Sequence, residues 1–269
     1  MAKVYLIQMD ILWCKKTQNF ETVRRLLKSH PIEKGGLIVL PEMFATGFVG
    51  RPKDGIEESF DHSESGITAS FLYELAQETG CWVQGSGISK KNGRFRNHIS
   101  VYSPDSTVEI TQYDKIYPFH TEQKHFEAGN EITTYQFDSF KVAPFICFDL
   151  RFPEVFRAAM NYNIELFTVI ASWPSIRESH WKTLLKARAI ENQCYVLGVN
   201  RIGEDPYTKY NGGSMIIAPT GEVIASLDSK EGVVSAEIHY DFLAKVRQNF
   251  PVLNDAKPFF SFPIKNNVI

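Results

Sequence analysis

The sequence lacks the features that mark several large classes of protein. No stretch approaches the roughly 18–20 apolar residues of a membrane-spanning helix, and no run of like charges forms a binding tail. The sequence has 29 Lys plus Arg and 31 Asp plus Glu, so its net charge is −2 and gives no sign of the positively charged surface that binds nucleic acid. These absences argue against a membrane protein and against a nucleic-acid partner.

Cysteine motifs and a secretory leader are also missing. The chain has four cysteines, none in a CxxC pair: Cys14, Cys81, Cys147 and Cys194. Zinc-ribbon and thioredoxin-like classes therefore have no support. Gln8 and Asp10 interrupt the apolar start of the chain too early for a signal peptide. We expect a cytoplasmic protein with reduced thiols, in which the usual role of a cysteine is that of a small buried hydrophobe.

Short apolar runs alternate with helical patterns along the chain. Residues 37–40 and 166–170 read as buried strands, and residues 68–79 and 178–192 carry apolar side chains at helical spacing. A turn cluster inside residues 97–113 indicates an antiparallel hairpin. This alternation predicts an α/β protein.

The chain shows no linker, internal repeat or low-complexity segment. Apolar residues make up 43% and charged residues 22%, as in ordinary globular proteins, and a length of 269 residues suits one large α/β domain. We therefore expect a single domain over residues 1–269. Its last part, from about residue 249 to 269, is predicted to be an irregular, proline-containing tail.

Three segments place a reactive side chain where a predicted strand ends. Glu42 follows a buried strand between apolar neighbours, and the resulting desolvation suits a general base. Lys115 lies among aromatic residues, where it can present a positive charge to an oxyanion. Cys147 ends an apolar strand just before a helix, and the backbone N–H of Phe148 is a second oxyanion donor. Taken singly, each has an ordinary alternative: a solvated glutamate, an exposed lysine and a structural cysteine.

The order and spacing of these segments resemble a known signature. Residues 40–44 (LPEMF), 114–116 (DKI) and 146–154 (ICFDLRFPE) are similar to the glutamate, lysine and cysteine motifs of the nitrilase superfamily of carbon–nitrogen hydrolases. Residues 187–192 and 213–222 also look like family segments. The resemblance covers nearly the whole chain.

The resemblance implies a four-layer αββα sandwich with two sheets face to face, helices outside, and subunits paired as a homodimer. It implies that Glu42 takes the proton of Cys147, that the thiolate attacks an amide, and that Lys115 and the Phe148 N–H stabilise the oxyanion. A thioester then forms, and a water activated by Glu42 hydrolyses it. No metal or organic cofactor is implied.

The family has a second glutamate after the lysine, which positions the substrate or the lysine. Glu122 is the matching position here, and Glu127 and Glu131 are weaker candidates.

Within the family, the chain most resembles the omega-amidases, which remove the terminal amide of 2-oxoglutaramate or 2-oxosuccinamate. Such a substrate needs a cationic or N–H-rich pocket, for which Arg151, Arg177 and Lys182 are candidates, with a purely structural role as the alternative for Arg151. Trp173 is predicted as a pocket wall or as core, while His180 has no predicted role. Alternatives are another amidase of the family, including one acting on deaminated glutathione, a carbamoylase or a nitrilase. From another class, a non-catalytic small-molecule-binding protein or a redox-sensing thiol protein stays open.

Overall fold

The computed structural model describes residues 1–60, 66–106 and 108–257, which form two six-stranded sheets and five α-helices. The first nine strands are β1 Ala2–Gln8, β2 Leu37–Val39, β3 Trp82–Lys91, β4 Arg94–Tyr102, β5 Thr111–Asp114, β6 Tyr135–Phe137, β7 Phe140–Ile146, β8 Leu166–Ala171 and β9 Tyr195–Asn200. The later strands are β10 Ile202–Glu204, β11 Lys209–Asn211, β12 Met215–Ile217, β13 Val223–Ser226 and β14 Gly232–Ile238. The helices are α1 Lys16–Lys28, α2 Ile67–Thr79, α3 Pro153–Ala159, α4 Glu178–Asn192 and α5 Tyr240–Asn249.

The two sheets share a layout in which a parallel centre is flanked by antiparallel strands. The first has the order β14-β1-β2-β3-β4-β5, with β1, β2 and β3 parallel. The second has the order β13-β12-β9-β8-β7-β6, with β7, β8 and β9 parallel. Strands β10 and β11 form a separate hairpin. The carboxyl ends of the parallel strands therefore gather at one edge of each sheet.

The alternation of side chains along β1 shows how the layers are built. Val4 and Leu6 face the second sheet in the larger core cluster, while Tyr5 and Ile7 face α1 and α2 in a second cluster. Both faces are buried, as expected for parallel strands covered on both sides.

The outer face of the second sheet is covered by α3 and α4, whose Phe156, Trp181 and Leu185 belong to the larger core cluster. The order of layers is thus helix, sheet, sheet, helix, and the predicted four-layer αββα sandwich is confirmed.

Three elements escaped prediction. Strand β6 and the β10–β11 hairpin have strands of only three residues, too short for a periodic pattern. Helix α5 buries a single residue, Leu243, so it has no apolar stripe to reveal it. The predicted tail begins where α5 ends. Residues 252–255 form a 3₁₀ turn, and residues 258–269 lie outside the described residues.

No helix within residues 1–60, 66–106 and 108–257 is both long and apolar enough to span a membrane. The four cysteines are free thiols, of which only Cys14 is exposed.

Candidate active site

Four segments that leave the carboxyl ends of strands meet at one site between the two sheets. Glu42 follows β2 and Lys115 follows β5 in the first sheet, while Cys147 follows β7 and Ser172 follows β8 in the second. The Ser172 backbone N–H donates to Glu42 Oε2 at 2.8 Å, and the Ser172 hydroxyl donates to the Glu42 backbone carbonyl at 3.3 Å, so the segment after β8 contacts the segment after β2. The carboxyl edge of parallel strands is the usual ligand-binding edge of α/β proteins.

The turns that carry these side chains have unusual backbone geometry. Met43, directly after Glu42, has a φ of +48°, and Cys147 has a φ of +45°, both in the left-handed region that non-glycine residues rarely adopt. The Ser86 hydroxyl accepts the Met43 N–H at 2.7 Å and helps to hold the first turn. Such conformations cost of order 1–3 kcal/mol each and concentrate at functional sites.

Lys115 joins two buried carboxylates. Its Nζ lies 2.9 Å from Glu42 Oε1 and 2.7 Å from Glu122 Oε2, and all three side chains are at most 1% exposed. The Phe119 N–H also donates to Glu122 Oε2 at 2.7 Å. Glu127, by contrast, pairs with Arg96 away from this cluster, and Glu131 is exposed. Of the three glutamates considered after the lysine motif, the structure brings only Glu122 to Lys115.

Burial and charge oppose each other in this cluster. Burial tends to lower the pKa of the Lys115 ammonium, but the charges of Glu122 and Glu42 outweigh it and raise that pKa. Burial also raises the pKa of Glu122, although Lys115 counteracts it. One buried ammonium is therefore shared by two carboxylates.

Cys147 lies at the start of a 3₁₀ turn and is 9% exposed. Burial and the charge of Glu42 raise the pKa of its thiol well above the usual range, while Lys115 lowers it. The Lys115 charge therefore favours the thiolate, but burial and Glu42 outweigh it. The resting thiol keeps its proton and needs a base to react.

Asp149 ties the cysteine turn to the lysine segment. Its Oδ2 accepts the Tyr113 hydroxyl at 2.7 Å and the Ile146 N–H at 2.9 Å, and its Oδ1 accepts the Tyr117 N–H at 2.8 Å. Burial raises the pKa of Asp149 to about 6. Its position two residues after Cys147 was the one sequence signal that could have revealed this anchor.

A cavity of about 450 Å³ opens over Cys147. Three of the four residues considered for the substrate pocket, Arg151, Trp173 and Arg177, line it, as does Phe148. Trp173 is only 3% exposed and belongs to the core as well as to the cavity wall. Sequence reasoning missed the rest of the wall: Trp13, Phe48, Val49, Gly50, Arg51, Phe119, Thr121, Ser172, Pro174, Asp205, Tyr207, Thr208 and Tyr210.

The two predicted arginines are cations without a carboxylate partner. Arg151 lies over the Trp173 ring at 4.7 Å and Arg177 over the Phe119 ring at 5.9 Å, and neither forms an ion pair within the described parts of the chain. Burial and the charge of Arg177 lower the pKa of Arg151, so the two guanidinium groups repel each other. An anion in the cavity would relieve that repulsion.

Two other predicted neighbours do not line the cavity. Lys182 pairs with Glu178 at 2.5 Å within α4, so its charge is already neutralised. His180 is exposed and approaches Arg151 at 3.3 Å.

A protein-family model described as carbon–nitrogen hydrolase matches residues 3–248. The chain belongs to that family, as the resemblance to the nitrilase superfamily predicted, and it is therefore an enzyme.

Two curated relatives and one solved structure agree with this membership. The chain is 33% identical over 261 residues to omega-amidase YafV of Escherichia coli, covering 96% of this chain and 97% of the relative. It is 33% identical over 255 residues to 2-oxoglutaramate amidase of Bacillus subtilis, covering 93% and 96%. XC1258 of Xanthomonas campestris, a superfamily protein with an arsenic adduct in its active site, is 30% identical with a TM-score of 0.86, covering 96% of this chain and 98% of that one.

Proposed function

We propose that this enzyme hydrolyses the terminal amide of a small keto acid amide such as 2-oxoglutaramate or 2-oxosuccinamate, with Cys147 as the nucleophile. The observation that carries the proposal is a cavity lined by the Cys147 thiol and by three arginines that form no ion pair with the described residues, Arg51, Arg151 and Arg177. The names of the relatives from E. coli and B. subtilis support the same substrate class.

In the first half of the reaction, Glu42 accepts the proton of the Cys147 thiol and the sulfur attacks the amide carbon. The carbonyl π electrons move to oxygen, and the oxyanion is stabilised by the Lys115 ammonium and by the Phe148 N–H. That N–H lies in the first turn of the 3₁₀ segment, where backbone donors lack an acceptor within the helix. Because the thiol is protonated at rest, the nearby carboxylate is essential to this step.

In the second half, the oxyanion collapses and the carbon–nitrogen bond breaks. Glu42 returns its proton to the nitrogen, so ammonia leaves and a thioester remains on Cys147. Glu42 then deprotonates a water that attacks the thioester, and the protonated Glu42 reprotonates the departing sulfur. The products are a carboxylate and a free thiol, so the cycle needs no cofactor.

Glu122 serves this cycle by holding Lys115. It binds the ammonium at 2.7 Å and is itself fixed by the Phe119 N–H. Because Glu42 is neutral while it carries a proton, Glu122 is the carboxylate that stays paired with Lys115 throughout.

Ammonia release tests the proposal. We expect release from 2-oxoglutaramate to be much faster than from glutamine, a simple aliphatic amide or a nitrile of similar size, because only the keto acid presents a carboxylate without a competing ammonium. A preference for the neutral amide, the carbamoyl compound or the nitrile would assign one of the alternative activities, and no release from any of them would contradict the proposal.

Substitution Arg177→Gln is expected to raise KM for 2-oxoglutaramate roughly 10- to 100-fold, because a charge-assisted contact to the substrate carboxylate is lost. The kcat should change little, since the hydrogen bonds and ion pairs of Glu42 and Lys115 within the described residues do not involve Arg177. Steady-state kinetics with 2-oxoglutaramate and with a neutral aliphatic amide measure the effect. KM for the neutral amide should stay unchanged, and Lys182→Gln, which removes an already paired cation outside the cavity, is the control. Equal losses for both substrates would argue against carboxylate recognition here.

The predicted homodimer and cytoplasmic location stay predictions.

A further inference from the structure

Asn97 connects the two carboxylates of the site, although no sequence motif pointed to it. It lies in β4 and is 2% exposed. Its Nδ2 donates to Glu42 Oε1 at 2.8 Å and to Glu122 Oε1 at 2.9 Å. Its own backbone carbonyl accepts the Lys115 N–H at 2.9 Å. One residue therefore contacts all three charged members of the cluster.

The orientation of the Asn97 amide follows from these contacts. The reverse orientation would turn the amide oxygen towards two carboxylates, so the chemistry of the neighbours fixes Nδ2 where it is. Asn97 Oδ1 accepts no hydrogen bond from the described residues although it is buried. An unpaired buried acceptor is unfavourable, so the fold satisfies the carboxylates at the expense of this oxygen.

We propose that Asn97 is a positioning residue that aligns the Glu42 carboxylate as the base for Cys147 and donates a hydrogen bond to it. This inference rests on the proposed function. Two carboxylates close to one ammonium favour uptake of a proton, which would disable Glu42. The neutral amide donates one hydrogen to each carboxylate and so stabilises both negative charges without adding a positive one.

The other titratable groups that act on Glu42 define what a pH measurement reports. They are Lys115, Glu122, Cys147 and Tyr210, which come from both sheets and from the β10–β11 hairpin. Lys115 and Tyr210 keep their protons across the neutral range because the pKa of each is raised. Because the Cys147 thiol is already protonated at rest, an acidic limb reports proton uptake by the carboxylates.

The test measures alkylation of Cys147 by iodoacetamide against pH, read by intact mass and peptide mapping, beside ammonia release from 2-oxoglutaramate. For Asn97→Leu we expect the acidic limb of both profiles to move up by roughly 1–2 pH units and kcat at neutral pH to fall roughly 10- to 100-fold. KM should stay nearly constant, because Asn97 does not line the cavity. Asn97→Asp keeps the shape but adds a third carboxyl group, so its limb should move at least as far.

Two controls separate positioning from general damage. Ser100→Ala alters another buried side chain of β4, whose hydroxyl has no hydrogen-bond partner among the described residues, and Asn192→Leu removes a buried amide in α4. Both should keep the parent profile, and thermal unfolding shows which variants are folded. Folded Asn97 variants that retain the parent acidic limb would overturn the proposal while leaving the proposed function intact. A parent protein that releases no ammonia and whose Cys147 is unreactive would overturn both.

Discussion

Replacement of Cys147 by alanine is expected to abolish amide hydrolysis, with kcat reduced roughly 10⁴-fold or more, because the thiol that forms the covalent intermediate is lost. Ammonia release from 2-oxoglutaramate under saturating substrate measures the loss. Intact mass of the parent enzyme, quenched in acid during turnover, should show an acyl adduct that peptide mapping locates on Cys147.

Cys81→Ala and Cys194→Ala are matched controls, since both thiols are buried outside the site. They should keep full activity, although each loses some packing. Substantial turnover by the Cys147→Ala variant would reject thioester chemistry. An adduct on another cysteine would identify a different nucleophile.

Substitution Lys115→Met should damage both activity and stability. The side chain keeps its length but leaves Glu42 and Glu122 buried without their ammonium, which is expected to cost about 3–5 kcal/mol of unfolding free energy. Loss of the oxyanion contact should lower kcat by roughly 10²–10³-fold. Denaturant titration measures the first effect and steady-state kinetics the second.

A double variant separates these two effects. Adding Glu122→Gln to Lys115→Met returns the buried cluster to its original net charge, so much of the lost stability should come back. Activity should not, because the positive charge facing the oxyanion is still missing. Recovery of activity along with stability would show that Lys115 is purely structural.

The main layers and the three candidate residues could be predicted from the sequence for the same reason, which is that apolar residues mark both. Long buried strands such as β8 are recognisable in the sequence as apolar runs. Glu42, Lys115 and Cys147 each follow the end of a strand in a segment rich in apolar neighbours. That three such ends converge could be anticipated only through family resemblance, because pairing of distant strands leaves no local signal.

Other parts of the site could not be predicted for physical reasons. Asn97 lies inside a strand, where an asparagine usually indicates only an edge or a turn, and its partners are 25 and 55 residues away in the chain. Asp205 and Tyr210 enter the cavity wall from the β10–β11 hairpin, whose three-residue strands show no periodicity. Their places depend on tertiary contacts rather than on local propensity.

Because the site lies between the two sheets, the turnover rate depends on how the sheets are aligned. Glu42 and Lys115 follow strands of one sheet and Cys147 follows a strand of the other. A shift of one sheet against the other therefore changes the distance between these side chains while each sheet stays intact. A displacement of about 1 Å can cost roughly 100-fold in rate. Gln84 accepts hydrogen bonds from Tyr135 and Thr168 of the opposite sheet at 3.0 and 2.9 Å. Gln84, Tyr135 and Thr168 do not line the cavity, and their contacts hold the two sheets in register.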